Sequence, residues 1–89
     1  MPEYKIKIFG ADWCGDCRRA KSFLNEHGVD FSFINIDKDR VGEQFVLDVN
    51  RGMRSIPTII FDDGSILVEP SDLELSKKLG IRIPDSYYL

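Results

Sequence analysis

The chain has 89 residues, enough for one small hydrophobic core and no second one. Hydrophobic residues make up 43% and charged residues 30%, with four prolines and seven glycines, which excludes a disordered or low-complexity chain. Twelve basic against fifteen acidic side chains leave a net charge of −3 and no basic run, so nucleic acid is not an expected partner.

The opening MPEYKIKIFG lacks a long apolar stretch, so neither a signal peptide nor a spanning helix is expected, no membrane partner is implied, and the expected location is the cytoplasm. Tyr4, Ile6 and Ile8 alternate with Lys5 and Lys7 and Phe9 closes the run, a strand pattern. From Cys14 to His27 the pattern turns helical: Cys17, Ala20 and Leu24 form a stripe beside Phe23, and Gly28 sits where a C-cap is needed. His27 before that glycine reads as a partner of the helix C-terminus rather than a catalyst. Val29 to Asp37 is aromatic and β-branched, a second strand. Val41, Phe45 and Val49 recur every fourth residue with Val46 beside them, giving a second helix that ends at Gly52. Pro57 to Phe61 and Ser65 to Glu69 are the third and fourth strands, and Asp62-Asp63-Gly64 between them is expected to form a type I′ turn. Ser71 and Glu74 have capping-box spacing, opening a last helix with Lys77 and Lys78 in its final turn and Gly80 beyond.

The order β-α-β-α-β-β-α predicts an α/β domain, a mixed four-stranded sheet with three helices, its first two strands parallel and its last two an antiparallel hairpin. Residues 1–80 are assigned to this domain. The tail, Ile81–Leu89, packs on it or extends from it, and Tyr87, Tyr88 and Leu89 are either an apolar strap or a docking segment.

The chain's two cysteines, Cys14 and Cys17, stand three positions apart where the first helix begins. In a reducing compartment a structural disulfide does not persist, so such a pair is catalytic or metal-binding. Backbone N–H groups at a helix N-terminus favour a thiolate at Cys14, with Arg18, Arg19 and Lys21 adding to that and Asp12 and Asp16 opposing it. Cys17 lies one turn deeper on the same face. The expected roles are therefore an exposed nucleophile, Cys14, and a buried resolving thiol, Cys17. Two other readings stay open. A zinc site needs further ligands, with His27 and scattered carboxylates the available ones; an iron–sulfur cluster would have to be shared between two subunits. The assignment carries no resident metal.

The second feature is Ser55-Ile56-Pro57-Thr58. A proline opening a strand cannot donate to the ladder, and from sequence alone its preceding bond is expected to be trans. Arg51 and Arg54 are delivered toward Pro57 by the glycine-containing loop, whereas Arg18 and Arg19 read as a solvated face. Trp13, beside the nucleophile, reads as a groove wall.

Cys17, Arg19, Ala20, Lys21 and Leu24, the strand-opening Ile56-Pro57-Thr58 and the late Ser71-Asp72-Leu73 together resemble the glutaredoxin family, which has the thioredoxin-like fold. Trp13-Cys14-Gly15, Asn50-x-Gly52, Asp63-Gly64-Ser65-x-Leu67 and Pro70-Ser71 are similar to its mycoredoxin-type members. The resemblance spans residues 4–80. It implies a thiol–disulfide oxidoreductase acting on disulfide-containing proteins, or on their mixed disulfides with a small thiol, as a monomer. Electrons would come from a low-molecular-weight thiol such as glutathione or mycothiol, or from a flavin reductase, with no bound cofactor. It also implies a cis Pro57 facing Cys14, and a thiol-binding groove at Trp13, Arg54, Ser55, Ile56, Pro57, Ser71 and Asp72. Service as electron donor to a single reductase-type enzyme, or as a dimeric iron–sulfur carrier, are the alternatives. The chain departs from the family pattern at Asp16, between the cysteines, and at Ala11-Asp12 and Glu69-Pro70.

Overall fold

A computed structural model describes residues 6–83. Tyr4 and Lys5 of the first expected strand, and Tyr87, Tyr88 and Leu89 of the tail, lie outside the described residues. The elements are β1 (Lys7–Gly10), α1 (Gly15–Glu26), β2 (Ser32–Asn35), α2 (Arg40–Val49), β3 (Thr58–Ile60), β4 (Ile66–Val68) and α3 (Asp72–Leu79), in the expected order. The sheet order is β2-β1-β3-β4. β1 runs parallel to β2, with Ile8 beside Phe33, and antiparallel to β3, with Ile8 beside Ile59. β3 and β4 form the antiparallel hairpin.

Alternation along the two central strands divides the core in two. Ile6, Ile8 and Ile59 join Ala20, Phe23 and Leu24 of α1 and Leu75 of α3 in one cluster. Phe9 points the other way, into a cluster with Ala11, Cys14, Cys17, Ile36, Val46 and Ile56. The two cysteines are thus built into the second half of the core. Phe9 and Phe45 stack there with centroids 4.6 Å apart. At Gly42 an added Cβ would fall 2.7 Å from Ile34 Cγ2, so a glycine is what lets α2 lie this close to β2.

Two local expectations need correction. A type I′ turn requires positive φ at both central residues, yet in this loop the left-handed residue is Gly64 (φ 85°), and Arg51 and Glu69 are the non-glycines with positive φ among the described residues. The hairpin instead closes through three residues: Gly64 N–H donates to Phe61 O at 2.9 Å and Phe61 N–H to Ser65 O at 2.9 Å. Asp63 Oδ1 accepts from both the Ser65 N–H (2.9 Å) and hydroxyl (2.6 Å), an internal bond that holds the aspartate in the turn. The second helix stops at Val49, capped at Asn50, and the left-handed stretch starts at Arg51 (φ 57°) before Gly52 (φ 85°). Gly52 N–H then reaches back to Leu47 O at 2.7 Å, which satisfies a carbonyl of the last turn.

Candidate active site

Cys14 is the N-cap of α1. Its backbone is extended and its Sγ accepts the Cys17 N–H at 3.3 Å, the place a serine or aspartate oxygen usually takes. A donor aimed at sulfur is worth more the more negative charge that sulfur carries. Cys14 is less exposed than expected: only 9% of it is accessible, and Cys17 is fully buried. Cys14 is covered because it belongs to the second core cluster, together with Ala11 and Ile56. Burial, then the contact with Cys14, pushes the Cys17 thiol up to about 12.

The Ile56–Pro57 bond is cis. Pro57 is buried, and Ile56 packs in the same cluster as both cysteines. The approach to β3 is held by the Thr58 hydroxyl donating to Ser55 O at 2.7 Å and by Asn50 Nδ2 donating to Thr58 Oγ1 at 3.1 Å.

Trp13 is exposed, but its ring is not loose: Nε1 donates to Asp37 Oδ2 at 2.9 Å. Asp37, just beyond β2, also takes a hydrogen bond from Arg54 Nη2, while Arg54 Nε donates to Glu43 of α2 at 2.8 Å. Arg54 therefore lies between two carboxylates. The guanidinium holds the Asp37 carboxyl below its ordinary value, with the indole N–H adding to the effect.

At the far end of the site, Ser71 caps α3 in a reciprocal box with Glu74, accepting its N–H at 3.1 Å and donating its own N–H to Glu74 Oε1 at 3.0 Å. Asp72 is engaged by Arg19, whose Nη1 lies 2.6 Å from Oδ1 and whose Nη2 donates to Pro70 O at 2.8 Å. Arg19 is therefore no solvated side chain; it ties α1 to the start of α3. A cleft of about 440 Å³ opens beside it, lined by Asp16, Arg19, Glu69, Ser71, Asp72 and Glu74.

The structure thus gathers Cys14, Cys17 and Ile56 in one cluster, with the buried cis Pro57 next in the chain, Trp13 and Arg54 joined through Asp37, and Ser71 and Asp72 at the head of α3. Asp37, Glu43 and Gly10 are contributors that sequence reasoning missed. A Cβ on Gly10 would sit 2.5 Å from the Cys17 sulfur. A glycine closing a strand was its one available signal. Asp37 and Glu43 meet Arg54 across 17 and 11 residues, and no local pattern records such a pairing. Among the described residues no group of three or more His, Cys, Asp or Glu could hold a metal ion, and no helix is long and apolar enough to cross a membrane.

A dithiol at the head of the first helix of a β-α-β-α-β-β-α domain, sharing a core cluster with the residue before a strand-opening cis-proline, defines a thioredoxin-like redox protein. The glutaredoxin family profile matches residues 6–66. A Mycobacterium tuberculosis protein bearing the glutaredoxin name is 38% identical over 74 residues, covering 83% of this chain and 88% of that protein. Mycoredoxin 1 of Corynebacterium glutamicum is 31% identical over 74 residues, covering 83% and 91%. The crystal structure of a glutaredoxin from Methanosarcina mazei superimposes with a TM-score of 0.70 at 30% identity, covering 85% of this chain and 78% of that one. The chain belongs to the glutaredoxin family, whose members are thiol–disulfide oxidoreductases.

Proposed function

We propose that the protein reduces disulfides in proteins, or mixed disulfides between a protein and a small thiol, with Cys14 as nucleophile and Cys17 as resolving thiol. The observation that carries this is Cys14 at the N-cap of α1, its sulfur already taking the N–H of a fully buried Cys17. The Cys14 thiolate attacks one sulfur of the substrate, forming a mixed disulfide and releasing the other sulfur as a thiol. Cys17 then loses its proton and attacks Cys14, closing the internal disulfide and releasing the second thiol; a free small thiol attacking the mixed disulfide is the competing route. Two of the influences that hold the Cys17 proton, its hydrogen bond and its charge interaction with Cys14, are features of the reduced pair. They are lost once Cys14 is in a mixed disulfide, which favours ionisation of Cys17 at the step that needs it. A reduced low-molecular-weight thiol or a flavin reductase restores the dithiol, in a reducing compartment such as the cytoplasm.

Trp13 and Ile56-Pro57 flank the sulfur, and Arg54, Ser55, Ser71 and Asp72 complete the groove in this reading. The test is trapping. Cys17→Ser, exposed to a small-thiol disulfide, is expected to keep one adduct on Cys14 by intact mass, and Cys14→Ser is expected to lose all disulfide reductase activity. Retained activity in Cys14→Ser overturns the assignment.

A further inference from the structure

We propose that this site selects disulfides by charge, accepting neutral or cationic groups beside the sulfurs and rejecting anionic ones, and that Glu43 and Asp16 are specificity-determining residues. The inference rests on the function proposed above and names the substrate class of the same site. Two arginines beside it, Arg54 and Arg19, are already ion-paired. Arg54 lies between Asp37 and Glu43, and Arg19 between Asp72 and, at 3.8 Å, Asp16. Exposed ion pairs are individually weak, and an incoming anion can break one. Breaking it does not remove the carboxylates, however, and the potential at the sulfur depends on where charges sit rather than on which hydrogen bonds are made.

On the Trp13 side, two carboxylates outweigh one guanidinium. On the α3 side, the cleft holds Asp16, Glu69, Asp72 and Glu74 against Arg19. Asp12, held by Asn35 Nδ2 at 3.3 Å, adds a further negative charge near the start of α1. Cys14 opens α1 between these groups. Lys21, whose charge acts on Cys17, and the exposed Arg18 and Arg51 oppose them, and in this proposal the carboxylates on either side outweigh these cations for an approaching substrate. An ammonium or guanidinium next to the disulfide is drawn in, and a carboxylate is held off.

The experiment measures second-order oxidation of the reduced protein by three small symmetric disulfides: cystamine (cationic), bis(2-hydroxyethyl) disulfide (neutral) and 3,3′-dithiodipropionate (anionic). Trp13, the one tryptophan, supplies the fluorescence signal beside the reacting sulfur. Glu43→Gln removes a charge while keeping an acceptor for Arg54, and is expected to speed the anionic disulfide about two- to fivefold at low salt. Asp16→Asn is expected to slow the cationic one by a similar factor of about two to five. Both effects are read as the rate of each charged disulfide divided by that of the neutral one, which absorbs any change in Cys14 reactivity or folding, and both should fade in 0.5 M salt. Short peptide disulfides flanked by lysine or by glutamate, run in parallel, tell a polypeptide source from a small-molecule one: a lysine preference alone assigns the polypeptide, and a preference in both series assigns charge alone. Variants that leave the three rates in their original ratio overturn the charge selection. A wild-type protein inert to the neutral disulfide overturns instead the reductase function on which it rests.

Discussion

Glycine 10 shows how one missing side chain permits the dithiol. Its Cα faces the Cys17 sulfur, and a methyl group there would also press Phe33 Cε1 at 3.2 Å. Neither neighbour can retreat easily, since Cys17 is anchored in α1 and Phe33 packs against both clusters. Gly10→Ala is therefore expected to cost about 1–3 kcal/mol in urea unfolding. Gly15→Ala, where a Cβ meets nothing within 4 Å, should be neutral or gain up to about 1 kcal/mol. Equal effects of the two would contradict the steric account. Burial of Cys17 has a pH signature too. Its thiol ionises near 9.0 when unfolded and about 12 when folded. Below 9.0 both states hold the proton and stability is unaffected; between the two values only the folded state holds it, so stability of the reduced protein falls as pH rises. Cys17→Ala should show a shallower alkaline decline than the wild type in urea melts from pH 9 to 11. Lysine and tyrosine titrations are common to both proteins and cancel in the difference, and parallel declines would refute the argument.

At the scale of elements, the site is held by side chains that bridge them: Trp13 from the turn before α1, Asp37 from the end of β2, Arg54 from the loop before β3, and Glu43 from α2. The Asp37 carboxyl is depressed first by Arg54 and then by Trp13. The indole contact should accordingly survive below pH 3.8, the ordinary value, and be lost as pH falls through the lower folded value. An acid titration of Trp13 fluorescence measures this, and Arg54→Gln is expected to move its midpoint upward; an unmoved midpoint would mean Arg54 does not act on Asp37. The same bridges explain what was legible beforehand. Periodicity, caps and the Cys14–Cys17 spacing are local, and they gave the element order, the capping box at Ser71 and the dithiol. Asp62-Asp63-Gly64 misled because a dipeptide signal cannot tell a two-residue from a three-residue loop. Arg19 was misread because Asp72, which engages it, is 53 residues away.

The whole molecule has little stability to spare, since a chain this short buries a modest fraction of its surface. Every apolar side chain at the edge of a core cluster then counts, including those past the last helix. Gly80 ends α3 in the left-handed conformation (φ 68°), and the Ile81 N–H returns to Ser76 O at 2.8 Å, a bond that turns the chain back toward the fold. Ile81 and Ile83 then pack, partly buried, against the cluster that holds Phe23, Leu24 and Leu75. That cluster also contains Ala20 and Leu24 of the helix that Cys14 caps, so the segment after Gly80 supports the element that carries the nucleophile. We therefore place Ile81–Ile83 with the folded domain. Truncation after Gly80 should lower the unfolding free energy by about 2–3 kcal/mol relative to truncation after Ile83, from two partly buried isoleucines at roughly 1–1.5 kcal/mol each. Comparing the two truncations by urea unfolding isolates these side chains from whatever residues 84–89 contribute. Because neither isoleucine contacts the dithiol cluster, the initial rate of Cys14 with a neutral disulfide should be the same in both proteins well below their melting temperatures. A rate that fell with stability in the truncated form would instead make Ile81 and Ile83 part of what positions α1 for the reaction.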